Sequence, residues 1–458
     1  MKFPKLLLLV HGFIFFSNNT YSQDLSARQV KEDLVFLRTQ METYHAGLQV
    51  YNPRFNQQSD SLLNSVQEGM SLIEYFRLIS RQVNFGHEGH YDVGSWSDTV
   101  HTGFANNAYR YLPMAVHVQN HRIFIMDTYT GNTLLNEGDE ILSVNNKKTA
   151  DILDHLYSFM ASDGYIESNM DKKLTDAFNW KYYLYVEQPE EFVMEYKERT
   201  TNEIKTVTVK AITIQQMREN YPKTHTAQNT SAPATPGVEE VYKLDIKDGT
   251  AYFQLKSFDW RLIEKYKLKA DKLYKDIFQE IAGANVQNLV VDLRYNTGGR
   301  SEFADEMLPY IIKTESKEVY RTSVSWRGKK EAFKLPVKSK WAFEGSVYIL
   351  VNGKTFSAGA TLARYLREYA DAIAIGEEAG ARYEGFVAGS KQDITLPNSK
   401  INIGIPRYHT DFPPSGKQPT SNKGLLPDHI VKYSIDDIIN KVDKEREFLN
   451  QLLKKNGK

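Results

Sequence analysis

"SVYILVNGKTFSAGATLARYLREYADAIAIG", residues 346–376, holds a strand, a turn, a helix and a second strand in one stretch. Its first seven residues are a nearly unbroken apolar run, the composition of a strand buried on both faces of a parallel sheet. From Ala358 onward the apolar positions recur at three- and four-residue spacing, which predicts an amphipathic helix. "DAIAIG" (371–376) is a second buried run, and "NLVVDLR" (288–294) a third, followed by the helically spaced "SEFADEMLPYIIK". Strands alternating with helices predict a mainly parallel sheet, with chemistry at the C-terminal strand ends.

Ser357 sits at the joint between the run 346–352 and its helix. Two readings stand. Serine is a preferred N-cap, its hydroxyl accepting from the first helical N–H groups. Alternatively the hydroxyl projects from the strand end as a nucleophile, and free amides beginning with Ala358 face the same space, where they suit the oxyanion of acyl transfer. Gly298 and Gly299, in "VVDLRYNTGGRSE", follow another buried strand. They form either a tight turn or a second set of backbone donors open to a ligand. "NFGHEGHYD" (84–92) offers His90 in a glycine-flanked loop as a base for Ser357. A metal reading of His87, Glu88, His90 and the nearby His101 competes, although the spacing is not H-E-x-x-H and Gly89 disfavours a helix. No serine lies in G-x-S-x-G, and none has lysine three residues on, so two other serine-hydrolase patterns are absent.

Working outward, "ARQVKEDLVFLRTQMETYHAG" and "SLIEYFRLISRQV" have helical period, and the helical region carrying the histidine loop is set at 23–105. The period shifts toward two from about Tyr111. A strand pair, a turn on Gly138 and Asp139, the strand "EILSVN", a turn at Asn145 and Asn146 and a helix from about Ala150 make a β-rich module. This module, 106–221, looks PDZ-like, a fold whose sheet edge and adjoining helix can hold an extended peptide. Residues 222–239 read as a linker rich in Thr, Pro and Ala, 240–440 as the α/β core and 441–458 as a terminal helix.

The chain has 458 residues, with 57 Lys plus Arg balanced by 57 Asp plus Glu, so no global field recruits nucleic acid or an acidic membrane. The opening "MKFPKLLLLVHGFIFFSNNTYSQ" has the plan of a secretory signal, and its apolar run is short for a bilayer span. Cleavage near residue 22 is expected, leaving no stable membrane span. An exported location follows, periplasmic or extracellular, and the count of zero cysteines suits a bacterial envelope.

Four motifs together resemble one family, the tail-specific or C-terminal processing serine peptidases, which include the tricorn core and the interphotoreceptor retinoid-binding proteins. They are "NLVVDLRYNTGG", "VNGKTFSAGATLARYLREYADAIAIGEEAG", the PDZ-like "NEGDEILSVNNKK" and the closing "NKGLLPDHIV". The resemblance implies a ClpP/crotonase-like core. It places Ser357 as nucleophile in "TFSAGA" and Gly298 and Gly299, with Ala358, at the oxyanion. Many members use a lysine base after G-E, but "GEEAGARYEG" offers Arg382, which cannot accept a proton. Another branch uses a histidine from a D-G-H-like segment, matched by "HEGHYD" with His90. A carboxylate should orient that imidazole. Glu378 is the expected one, with Glu302 and Asp428 as alternatives.

The expected activity is therefore a serine endopeptidase acting on peptides or unfolded segments, those near C-termini among them, with no metal and no cofactor. The rival is a peptidase fold without catalysis that binds a peptide or apolar ligand. The sequence assigns neither substrate sequence nor oligomeric state.

Overall fold

The computed structural model describes residues 25–93, 109–130, 134–224, 237–414, 416–418 and 421–456. The expected signal segment and His101 lie outside these residues, as does most of the expected linker.

Helices α1 (Ala27–Tyr44), α2 (Phe55–Asn64) and α3 (Leu72–Asn84) form the first region. Ser26 and Ser71 each close a capping box, so α1 and α3 start where their side chains satisfy the free amides. A two-residue strand β1 (Asp92–Val93) follows the histidine loop. Next come β2 (Met114–Gln119), β3 (Arg122–Thr128), β4 (Glu140–Val144), α4 (Thr149–Tyr157), α5 (Glu167–Tyr185), β5 (Glu191–Lys197) and β6 (Ile204–Lys210). These five strands pair antiparallel in chain order. Asn145 and Asn146 both have positive φ, 48° and 64°, the left-handed pair that a tight hairpin requires. Helix α5 lies against β2, the outer strand, and the Val118 N–H donates to the Thr175 hydroxyl at 3.0 Å. The helix thus lies along this outer strand.

The core sheet draws on β7 (Tyr242–Lys247), β8 (Thr250–Leu255) and, after helix α6 (Ala270–Gly283), β9 (Asn288–Asp292). The pair β10 (Val319–Ser325) and β11 (Lys330–Lys334) leaves this sheet. The chain returns to it through β12 (Ser346–Val351), α7 (Ala358–Tyr369) and β13 (Ile373–Gly376). A long hairpin, β14 (Gly385–Thr395) and β15 (Asn402–Asp411), precedes the short β16 (His429–Ile430) and helix α8 (Lys444–Asn456). The sheet order is β16-β13-β12-β9-β8-β7, parallel except for the pair β7 and β8. Along β12, Val347, Ile349 and Val351 face the main apolar core while Tyr348 and Leu350 face a smaller one beneath α8. Burial on both faces explains the continuous apolar run. The segment 301–313 is broken into two short helices, Glu302–Asp305 and Leu308–Ile311, with Pro309 in the first turn of the second, where proline is tolerated.

In a third sheet β15 pairs along its length with β14, near its start with β1 and near its end with β10, which pairs in turn with β11. Ile394, Leu396, Ile401, Ile403 and Ile405 of the hairpin pack into the apolar cluster of the N-terminal helices and the small sheet. The packing therefore crosses the boundary expected near residue 240. Among the described residues, no helix is long and apolar enough to cross a membrane.

Candidate active site

Ser357 heads α7 with φ 51° and ψ −127°, a conformation that a non-glycine residue rarely holds and that stores roughly 1–3 kcal/mol. Its side chain makes no capping bond, so the hydroxyl is not used to finish the helix. Buried polar residues hold the joint instead. Asn296 accepts the Phe356 N–H on its carbonyl at 3.0 Å and donates from Nδ2 to Leu255 at 3.0 Å. Thr355 donates to the Leu293 carbonyl at 2.9 Å and accepts the Asn352 N–H at 3.0 Å. Sequence reasoning overlooked Asn296, Asn352 and Thr355, whose signal was polar residues at the ends of runs otherwise apolar.

Gly298 packs directly under the serine. A Cβ there would lie 2.6 Å from the Ser357 Cβ and 2.8 Å from the Ala358 nitrogen, and its φ is +88°. Its N–H is already donated to Asn296 Oδ1 at 2.9 Å, so the expectation that Gly298 offers a free oxyanion donor is corrected. Its contribution is the close approach. The N–H groups of Gly299 and Ala358 have no acceptor among the described residues. Gly299 (φ +133°) has no room for a side chain, because a Cβ would fall 2.0 Å from the Phe258 carbonyl oxygen.

The histidine loop reaches this elbow from the other half of the chain. Helix α3 stops at Asn84, and His87, at φ 48°, turns the backbone so that Glu88 points inward. A Cβ on Gly89 would lie 2.9 Å from the Phe356 ring, so the glycine lets the loop rest on the residue before Ser357. The His90 ring lies between Phe356, with centroids 4.5 Å apart, and Phe386 at 5.3 Å. Directly after it, β1 pairs Asp92 with Gly404 and Val93 with Ile403 of β15, which fixes the loop to the hairpin.

His90 Nδ1 is 2.7 Å from Glu88 Oε1. An ionised carboxylate only accepts, so Nδ1 carries the proton and Nε2 keeps the lone pair. That Nε2 is buried and has no hydrogen-bond partner among the described residues. Glu88 is fully buried, and Val387 N–H donates to its Oε2 at 2.6 Å. Burial, the largest influence, would raise the Glu88 carboxyl, but His90, Asp163 and Arg382 outweigh it and hold it down at about 2. Asp163, also fully buried, accepts the Gly89 N–H at 2.7 Å and the Arg382 N–H at 3.0 Å. Burial and the neighbouring Glu88 charge push its carboxyl up to about 7. Burial and the Glu88 charge thus favour the protonated form of Asp163 over that of Glu88.

Glu378, expected beside the imidazole, is elsewhere: its Oε1 accepts the Gly424 N–H at 2.8 Å. Asp428 is bound to Arg367 and to the Ala374 N–H, and Glu302 pairs with Arg300 at 3.2 Å. The carboxylate on His90 is Glu88, two residues away, which a strained turn folds back under the ring. His87 takes no part, because its ring packs on Tyr165 at 4.9 Å. Glu88, His90 and Asp163 do bring ligand-type atoms within 4.8 Å of one another. A cation already answers that charge, because Arg382 Nη1 stands 4.0 Å from Glu88 Oε2, and the glutamate's oxygens are engaged by His90 and Val387. The cluster does not fit a metal.

The sequence model of peptidase family S41 matches residues 249–431, the segment carrying Ser357 and both glycines. The matched segment is of the S41 peptidase kind. Two solved structures share the fold over nearly the whole chain. Mature CPAF complexed with lactacystin is 14% identical, with 93% of this chain and 97% of that one covered and a TM-score of 0.64. A second structure of mature CPAF is 13% identical, with 93% and 96% covered and a TM-score of 0.65. No curated protein matches. The matched segment is that of a serine-type peptidase, a hydrolase with peptide as its substrate class.

Proposed function

We propose that this S41 peptidase is exported and cleaves peptides or unfolded segments, those near free C-termini among them, through an acyl-enzyme on Ser357. The observation that carries this reading is the state of His90. Its Nδ1 is tied to a buried carboxylate, its ring packs on the residue preceding Ser357, and its Nε2 is buried without a partner. A buried nitrogen left unpaired costs about 1–3 kcal/mol, and such groups concentrate where chemistry needs them.

In the proposed reaction His90 Nε2 takes the Ser357 hydroxyl proton as Oγ attacks the scissile carbonyl. The Gly299 and Ala358 amides, aided by the positive end of α7, receive the oxyanion. His90 then gives the proton to the leaving amine, and water, deprotonated by the same nitrogen, hydrolyses the ester. Glu88 keeps the imidazole in the tautomer that leaves Nε2 free. Export rests on the N-terminal pattern of Lys2, Lys5 and the run Leu6–Phe16.

The test is fluorophosphonate labelling beside peptide turnover. Ser357→Ala should abolish labelling and lower turnover by on the order of 10⁴-fold or more. Its thermal midpoint should stay close to the parent's, since the hydroxyl caps nothing. Full turnover in the variant would end the nucleophile assignment.

A further inference from the structure

Arg382 stands in the segment where a lysine base would be sought, and its guanidinium cannot serve as one. It is nevertheless among the most deeply buried large side chains of the protein, at 1% exposure. Burying a cation completely is unfavourable unless its surroundings answer it. Here they converge on the histidine loop. Nη2 donates to the His87 carbonyl at 2.6 Å, and Nη1 donates to Gly385 at 3.3 Å. The guanidinium lies 3.6 Å from the centroid of the Tyr51 ring and 4.0 Å from Glu88 Oε2. Its backbone N–H binds Asp163, which also receives the Gly89 N–H.

We infer that Arg382 is a positioning residue for the S41 chemistry, holding the strained His87 turn so that Glu88 faces inward and His90 faces Ser357. His87 has a left-handed φ of 48°, a conformation that is uncommon for a residue other than glycine and that its neighbours must hold. Its carbonyl is gripped twice, by Arg382 Nη2 and by the Gly164 N–H at 3.1 Å. The planar fork reaches the His87 and Gly385 carbonyls from one group while its face rests on Tyr51. An ammonium group has neither the plane nor the span for all three. The charge that another arrangement would present to the nucleophile is thus turned into support for a different base.

This rests on the reading of Ser357 and His90 under Proposed function, and the test separates the two. Arg382→Lys and Arg382→Met are compared with the parent by thermal unfolding, by kcat and KM on a peptide ester, and by proton NMR of the His90 Nδ1–H bonded to Glu88. In Arg382→Lys, kcat should fall about 100-fold in folded protein, as expected for a misplaced catalytic group, with KM nearly unchanged. The Nδ1–H resonance should move upfield or broaden as the bond to Glu88 loosens. Arg382→Met should show the larger change in both readouts. Unchanged kcat and an unmoved resonance in folded Arg382→Lys would overturn the inference, as would a rate loss that merely follows the unfolded fraction. If the parent itself neither labels with fluorophosphonate nor turns over peptide, the functional reading fails, while the resonance still reports whether Arg382 positions the ring.

Discussion

The two halves of the active site are fixed by different physics. On the serine side the restraint is steric and carried by the backbone. Ser357 is held at φ 51° because glycines 298 and 299 let neighbouring strands press against it and neutral buried amides finish the joint. On the histidine side the restraint is electrostatic. A strained residue, two buried acids and a buried arginine hold His90 through charge and shared protons. Steric restraint is indifferent to pH and intolerant of any added atom. Electrostatic restraint tolerates small changes of shape and responds to protons.

Gly298→Ala should therefore be the most damaging of the changes that separate the two sides. Its Cβ would collide with Ser357 at 2.6 Å, and an L residue at φ +88° is itself strained, so a loss of at least ~1–3 kcal/mol is expected along with peptide turnover. Denaturant unfolding and labelling measure both. Normal labelling in a stable Gly298→Ala protein would show that the elbow yields, and the contrast would collapse.

Asp163→Asn addresses the other side. An acid whose folded-state value is raised favours folding while protonated. Its contribution is present below its unfolded value of about 3.9 and is lost as pH rises through about 7. Glu88 behaves oppositely: its contribution is present above the ordinary carboxylate range and is lost as pH falls toward about 2. Removing the Asp163 titration should make the variant compare more favourably with its parent at pH 8 than at pH 5 in denaturant unfolding. An equal difference at both values would mean that Asp163 holds no proton in the native protein.

The smallest effect belongs to Glu378→Gln. Its carbonyl-type oxygen can still accept the Gly424 N–H, so stability should change by no more than about 0.5 kcal/mol and turnover hardly at all. A large loss of kcat would return Glu378 to the catalytic group and displace Glu88.

What the sequence disclosed follows the same division. Strands β9, β12 and β13 and helix α7 were legible because continuous apolar runs and a three-to-four spacing are local properties. The hairpin at Asn145 and Asn146 was legible from its turn residues. Ser357, His90 and the glycines could be singled out by their places at strand ends and in a glycine-flanked loop. The carboxylate was not legible, since Glu88 reaches His90 only through the left-handed turn at His87, which no spacing rule anticipates. Asp163 and Arg382 come from segments distant in sequence and meet only in the folded chain. Helix α5 escaped notice partly because Ala177 breaks its helical geometry, at φ −147° and ψ 31°. The β14 and β15 hairpin escaped because its partners, β1 and β10, are not neighbours in the chain.

That hairpin governs how the enzyme can be divided. Residues 249–431 contain Ser357 and the segment that the family model matches, yet Ile394, Leu396, Ile401, Ile403 and Ile405 bury their side chains in a cluster with helices and strands encoded before residue 218. Expressed alone, the core would carry an uncovered aliphatic stripe and an elbow with no base, prone to aggregation and silent toward substrate. During synthesis, likewise, Ser357 emerges long after His90, and the loop that carries His90 is fixed to the hairpin only once β15 has paired with β1. On the proposed reaction, catalytic competence is thus tied to completion of the fold.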